Sequence, residues 1–185
     1  SANVDMSKET FTGGLSVTDP NFQFSGNSIN YFVENTSNDK AASGFKNNII
    51  STGVGTSFEQ YRNIYLSPSI SYSYDDLTVE STASQSLQKQ KGTFSDLSFS
   101  YGISADYRDR AYAPTDGYIS SFNQQIPIYA DSPYIRNTYS LSKYLTLSPD
   151  VIGSFKFYGS AINGLENKDV RISKRVMLSS NRLRG

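Results

Sequence analysis

Residues 96–107 alternate without a break. Leu97, Phe99, Tyr101, Ile103, Ala105 and Tyr107 form one row, and Asp96, Ser98, Ser100, Gly102, Ser104 and Asp106 form the other. A strand puts successive side chains on opposite faces, whereas a helix would scatter these two rows around its circumference, so the segment is an amphipathic strand. Residues 64–75 repeat the pattern, with Ile64, Leu66, Ile70, Tyr72 and Tyr74 against Tyr65, Ser67, Ser69, Ser71, Ser73 and Asp75. Pro68 interrupts the apolar row, and a proline cannot donate to a ladder.

Weaker alternation at 9–18, 25–35, 45–58, 117–129, 134–148 and 150–162 brings the expectation to about eight strands. Turn signals separate them: Asp19-Pro20-Asn21, residues 59–63, Pro114-Thr115-Asp116-Gly117 and Ser148-Pro149-Asp150. Hairpin connections imply an antiparallel meander. The stretches 36–44 and 76–92 read as long polar loops and most others as short turns, the asymmetry of an outer-membrane barrel. Several segments exceed the roughly 9–11 residues that a tilted strand needs to cross a bilayer core, and a soluble sandwich uses shorter ones. The fold class expected is therefore all-β: an antiparallel meander of long strands forming an outer-membrane β-barrel, partial or closed. Because lipid tolerates no open edge, the first and eighth segments are expected to pair and close a small barrel.

Composition agrees with that reading and narrows the chemistry. The chain has 14 Tyr and 11 Phe with a hydrophobic fraction of only 37%, many amphipathic rings in a polar background. Tyrosine suits the membrane interface, where its ring meets apolar surroundings and its hydroxyl meets water. Cysteine and histidine are absent, which removes thiol nucleophiles, imidazole bases and the usual zinc ligand sets. Asp106 and Asp109 read as solvated neighbours and not as an acid/base pair. No catalytic, cofactor-binding or metal-binding residue is expected, and no enzyme activity. Lys+Arg and Asp+Glu are equal at 17 each, so net charge predicts no nucleic-acid partner. The start Ser-Ala-Asn-Val carries neither initiator Met nor leader, as a processed product or internal fragment would.

Three stretches carry a resemblance to a known family. Tyr101-Gly102-Ile103-Ser104-Ala105-Asp106-Tyr107-Arg108-Asp109-Arg110-Ala111-Tyr112-Ala113-Pro114-Thr115-Asp116-Gly117 resembles a strand and periplasmic turn of BamA-type barrels. Leu15-Ser16-Val17-Thr18-Asp19-Pro20-Asn21-Phe22 resembles a hairpin of the same proteins, and Leu183-Arg184-Gly185 matches the start of their R-G-[FY] motif, with the aromatic missing. The resemblance covers the whole chain, residues 1–185, as one barrel domain. It implies the fourth to eleventh strands, followed over 163–185 by the start of the sixth external loop.

In the family that loop folds into the lumen and its arginine pairs with wall carboxylates, a role that transfers to Arg184 and Gly185. Asp109, Pro114, Thr115, Asp116 and Gly117 would form the periplasmic turn, and Asp19 and Pro20 the hairpin. The implied function is assembly and insertion of other β-barrel proteins in the outer membrane of a Gram-negative bacterium, with the fragment alone inactive. Implied partners are outer-membrane lipid, lipopolysaccharide, nascent barrel proteins and assembly-complex lipoproteins; strand-edge self-association of the fragment is a further expectation. Two other functions fit the same residues: a pore or secretion transporter of the same superfamily, and a soluble β-sandwich binding module. The basic residues Lys168, Arg171, Lys174, Arg175, Arg182 and Arg184 would contact either the lumen wall or lipopolysaccharide phosphates.

Overall fold

A computed structural model of the chain describes residues 2–6, 10–24, 26–40, 44–166 and 168–175. It is a single nine-stranded sheet in which every strand pairs antiparallel with its sequence neighbours. The strands are β1 (Ala2–Met6), β2 (Thr10–Asp19), β3 (Ser28–Lys40), β4 (Phe45–Tyr61), β5 (Ile64–Val79), β6 (Gly92–Asp106), β7 (Gly117–Ala130), β8 (Tyr134–Ser148) and β9 (Val151–Gly164). A four-residue helix, α1 (Gln85–Gln88), lies between β5 and β6.

Two expectations are corrected here. The sheet has nine strands, because Ala2, Val4 and Met6 alternate with Asn3 and Asp5 and all five residues of β1 pair with Phe11–Leu15 of β2. The five residues of β1 are too few for a periodicity to stand out. The sheet is also open: β1 and β9 are its edges, and the first and eighth predicted segments, β2 and β9, do not pair. Over Phe11–Leu15 the free side of β2 is already occupied by β1.

Strand lengths of 13 residues for β3, 17 for β4 and 16 for β5 correct the loop reading as well. Residues 36–40 are polar yet stay in the ladder, since one face of each strand is solvated and needs no apolar side chain; over 76–79 the alternation continues, with Leu77 and Val79 against Asp76 and Thr78. The expected length asymmetry between rims disappears with them. One rim carries the 80–91 connection with α1; the opposite rim carries connections of its own at 20–27 and 107–116.

Pro68 sits where its missing N–H does least harm. On the β6 side it is level with Tyr101, while on the β4 side the ladder skips from Gly55↔Ser69 to Phe58↔Leu66. A bulge near the β4–β5 turn, between Glu59 and Tyr61, precedes Asn63 at φ 62, whose N–H donates to Glu59 Oε1 at 2.7 Å.

The two faces differ sharply. On one face Leu15 pairs with Val33, Val54, Ile70, Phe99 and Ile126 form one row across β4 to β7, and Leu141 pairs with Phe157; many of the apolar side chains there stay exposed, Leu147 at 68% and Phe155 at 59%. The other face is rich in serine, threonine and amide, laced by Ser71–Ser98 (3.1 Å), Ser121–Ser140 (2.7 Å) and Thr138–Ser160 (3.3 Å), with Phe32, Ile49 and Tyr134 among them. The sheet curls with this polar face inward: β3 and β8 both contribute walls to one cavity of about 320 Å³. Only Phe45, Leu77 and Tyr134 form a buried apolar core among the described residues. A soluble sandwich would bury its apolar rows against a second layer, and among the described residues no layer covers them.

Candidate functional site

The chain does not leave the sheet after β9. It turns at Leu165, whose N–H donates to the Pro133 carbonyl at 2.9 Å, and residues 168–175 lie back as a strap across the polar face. Lys168 donates to the Asp131 carbonyl (3.3 Å), and the Ser132 hydroxyl donates to the Asp169 carbonyl (3.3 Å). Farther along, the Ile172 N–H donates to Gln90 Oε1 at 2.9 Å, tying the strap to the α1 connection.

The strap is held by charge. Arg171, 3% exposed, donates through one terminal nitrogen to Asp96 Oδ2, and its other terminal nitrogen lies 3.8 Å from Asp75 Oδ2. Its guanidinium also stacks over Phe94 at 4.2 Å. Lys174 Nζ lies 3.5 Å from Asp96 and donates to Ser73 Oγ at 3.3 Å. The Ser173 hydroxyl donates to Asp75 Oδ2 at 2.5 Å, and Arg136 of β8 donates to the Lys174 carbonyl at 2.5 Å.

Register explains why these groups meet. Ser73 pairs with Asp96 and Asp75 with Phe94 across β5 and β6, so both carboxylates rise on the polar face near the same rim. Asp75 is further oriented by a relay across four strands: Thr10 donates to Asn38 (3.0 Å), Asn38 to Asn47 (3.0 Å) and Asn47 to Asp75 Oδ1 (3.3 Å). Burial pushes the Lys174 ammonium below its ordinary value, against Asp96 and Asp75, which hold it up. Asp96 Oδ1 and Arg171 Nε have no hydrogen-bond partner among the described residues. A cluster that is electrostatically paired but incompletely hydrogen-bonded fixes position more than it adds net stability.

Sequence reasoning placed the lumen contact on Arg184 and Gly185, which lie outside the described residues. The contact the structure describes is made by Arg171 and Lys174, upstream in the same basic run. A signal for their partners existed: Asp75 and Asp96 are carboxylates at the ends of rows that are otherwise almost wholly serine. Nothing in the alternation says which strand ends share a rim; register does.

The turn residues sit apart from this cluster, on the opposite rim. Asp109 gathers the connection between β6 and β7: its carboxylate accepts from the Thr115 N–H (2.9 Å), the Thr115 hydroxyl (2.7 Å), the Asp116 N–H (3.2 Å) and Arg110 Nε (3.1 Å). The Thr115 hydroxyl above all, with the two N–H groups and Arg110, holds its carboxyl well below the usual carboxylate range. Pro114 enters the turn from Ala113 at φ 47, and Gly117 leaves it at φ 92. Asp106 is paired with Arg108 at 2.7 Å rather than coupled to Asp109. At the β2–β3 connection Asp19 Oδ1 accepts from the Asn21 N–H at 3.1 Å, an Asx turn that Pro20 enters.

The Omp85 superfamily domain matches residues 1–185. The chain belongs to the Omp85 superfamily. No curated protein sequence matches it. Among solved structures this Omp85 chain is similar to the crystal structure of BamA from Haemophilus ducreyi lacking POTRA domains 1-3, with a TM-score of 0.77 and 19% identity. That match covers 91% of this chain and 36% of the other. Family and fold together point to a bacterial outer-membrane β-barrel, in which the apolar face meets lipid and the serine face lines the lumen.

Proposed function

We propose that this chain is wall and strap of an outer-membrane factor that assembles and inserts other β-barrel proteins. In this reading the rim with α1 faces outward from the cell, the 107–116 connection is periplasmic, and residues 165–175 begin the long external loop. Counted back from that loop, the nine strands correspond to the third to eleventh of a larger barrel. The observation that carries the reading is the seating of the strap on Asp75 and Asp96, which gives an Omp85 chain a lumen occupied by its own loop rather than a free channel.

The factor works without cofactor or catalytic residue. Its chemistry is backbone hydrogen bonding at an exposed strand edge, the property other sheets suppress. The wall supplied here holds the lumen and the loop, and other strands of the barrel supply the pairing edge. Outer-membrane lipid, lipopolysaccharide, incoming barrel proteins and assembly lipoproteins are the partners of this reading.

Depleting the complete protein in its host and quantifying the outer-membrane proteome tests the proposal. An assembly factor lowers the folded, heat-modifiable fraction of many unrelated barrel proteins together. A secretion transporter of the superfamily would instead remove one secreted protein and leave the barrels intact.

A further inference from the structure

One row on the apolar face crosses four strands as Tyr107, Tyr118, Lys143 and Phe155. Tyr118 pairs with Lys143 and Lys143 with Phe155, and the Tyr107 N–H donates to the Tyr118 carbonyl at 2.8 Å just past the end of β6. The two tyrosine rings lie 5.4 Å apart, and all four side chains are exposed. Neither phenol hydroxyl nor the Lys143 ammonium has a hydrogen-bond or ion-pair partner among the described residues. The carboxylates of the adjoining turn are already engaged, Asp106 by Arg108 and Asp109 by Arg110 and Thr115.

The row stands at the boundary of the apolar face, one pair from the end of the β7–β8 ladder at Gly117↔Tyr144. Tyrosines at such a boundary mark the headgroup level of a bilayer. Open water does not surround the ammonium, because Leu141 and Leu145 flank it along β8 and Phe155 flanks it on β9. A lysine so placed lays its stem on apolar surface and carries its charge to the nearest anion. Directly above the tyrosines, toward the α1 rim, the row holds Ala105 and Ser120, which leave a low shelf in front of Leu141.

We propose that Tyr107, Tyr118 and Lys143 form a binding site for an anionic phospholipid, with its phosphodiester on the three donors and an acyl chain over Ala105 and Ser120. Phenol hydroxyls and an ammonium all donate to phosphate oxygens. One ammonium matches the single charge of a phosphodiester, whereas a multiply phosphorylated glycolipid would bring more charge than the row neutralises. The row offers no carboxylate to an ethanolamine ammonium, so a glycerol headgroup is preferred to a zwitterionic one. This site rests on the membrane reading above, and not on the assembly activity.

The test reconstitutes the complete protein in phosphatidylethanolamine vesicles that contain a small share of phosphatidylglycerol with a diazirine near the head of one acyl chain. The same probe built on phosphatidylethanolamine is the comparison. After irradiation, mass spectrometry should find the phosphatidylglycerol probe enriched on the Ala105 and Ser120 segments relative to the Val54 and Ile70 segments, and the phosphatidylethanolamine probe spread evenly. Lys143→Gln with Tyr118→Phe should lower the enrichment roughly tenfold, as the loss of one cation and one donor near a headgroup implies. Lys143→Arg, and Lys46→Gln at the opposite rim, should keep it. The substituted groups are exposed and make no hydrogen bond among the described residues at the proposed site, and heat-modifiable migration checks that each variant is folded. Even labelling by the phosphatidylglycerol probe, equal enrichment of both probes, enrichment undiminished in the double variant, or its loss in Lys143→Arg or Lys46→Gln would each overturn the site. No labelling of any apolar row by either probe would overturn the membrane reading with it.

Discussion

Asp109 and Gly117 show how much of a turn can rest on two residues. A Cβ at Gly117 would lie far inside van der Waals contact with the Tyr107 carbonyl oxygen, at a φ of 92 that side chains seldom adopt. Gly117→Ala should therefore cost about 1–3 kcal/mol, read as a lower urea midpoint for the folded barrel, because both the strain and the clash are with backbone. Asp109 gives the turn a pH dependence whose sign follows from its depressed carboxyl. The folded form holds the proton less readily than the unfolded chain, so the stability it adds is complete above the ordinary carboxylate value of about 4. That stability is lost as the pH falls through the lower folded value. Protection of the Thr115 and Asp116 amides, measured against the intrinsic exchange rate at each pH, should fall over that window in the wild type, and in Asp109→Asn it should be low and unchanging across it. Both residues were legible in advance, since proline, aspartate and glycine at fixed spacing carry their own local physics. What the spacing did not tell was that Asp109, five residues upstream of Pro114, closes the turn.

The strap is the element that sequence reasoning located only approximately. The basic run drew attention to the segment, and the wall carboxylates stood in plain view at the ends of two serine rows. Their meeting depends on the β5–β6 register and on the reversal after Gly164, neither of which leaves a periodic trace. Strand existence was legible throughout except at β1, and strand ends were not, because polar residues on a solvated face look like loop. The energetic consequence of the cluster is that its members are worth little singly and much as broken pairs. Asp96→Ala leaves Arg171 and Lys174 buried without their nearest carboxylate, a loss of about 3–5 kcal/mol in strap docking. Adding Arg171→Met to that variant should recover part of it, since the unpaired guanidinium is then gone and the thioether can still pack on Phe94. Trypsin cleavage after Lys174, which is 9% exposed, reads docking directly: fast in Asp96→Ala, slower in the double variant. Cleavage at equal rates in all forms would mean that the backbone contacts at Leu165 and Ile172 alone hold the strap.

At the scale of the molecule the alternation does two things at once, and only one could be read ahead. That one row of each strand is apolar was visible from residue types; which way the sheet curls was not, because a barrel with an apolar lumen and a polar outside has the same pattern. Curvature decides it here, since the serine face of β3 and that of β8 share a cavity while the apolar rows stay uncovered. Ile70 and Ser69 test the assignment at a single level of the barrel. They are adjacent on β5, with Ile70 between Val54 and Phe99 and Ser69 between Gly55 and Ser100. Ile70→Arg brings a guanidinium to mid-depth in lipid, which should cost about 2–4 kcal/mol. Ser69→Arg points the same group into a water-filled lumen, where the cost should stay within about 1 kcal/mol, most of it side-chain entropy. Urea titration of the complete barrel in liposomes, followed by heat-modifiable migration, gives both numbers on one scale. If Ser69→Arg proved the damaging substitution, the serine face would be the one against lipid. The strap, Asp75 and Asp96 would then lie outside the barrel, and the functional assignment would fall with them.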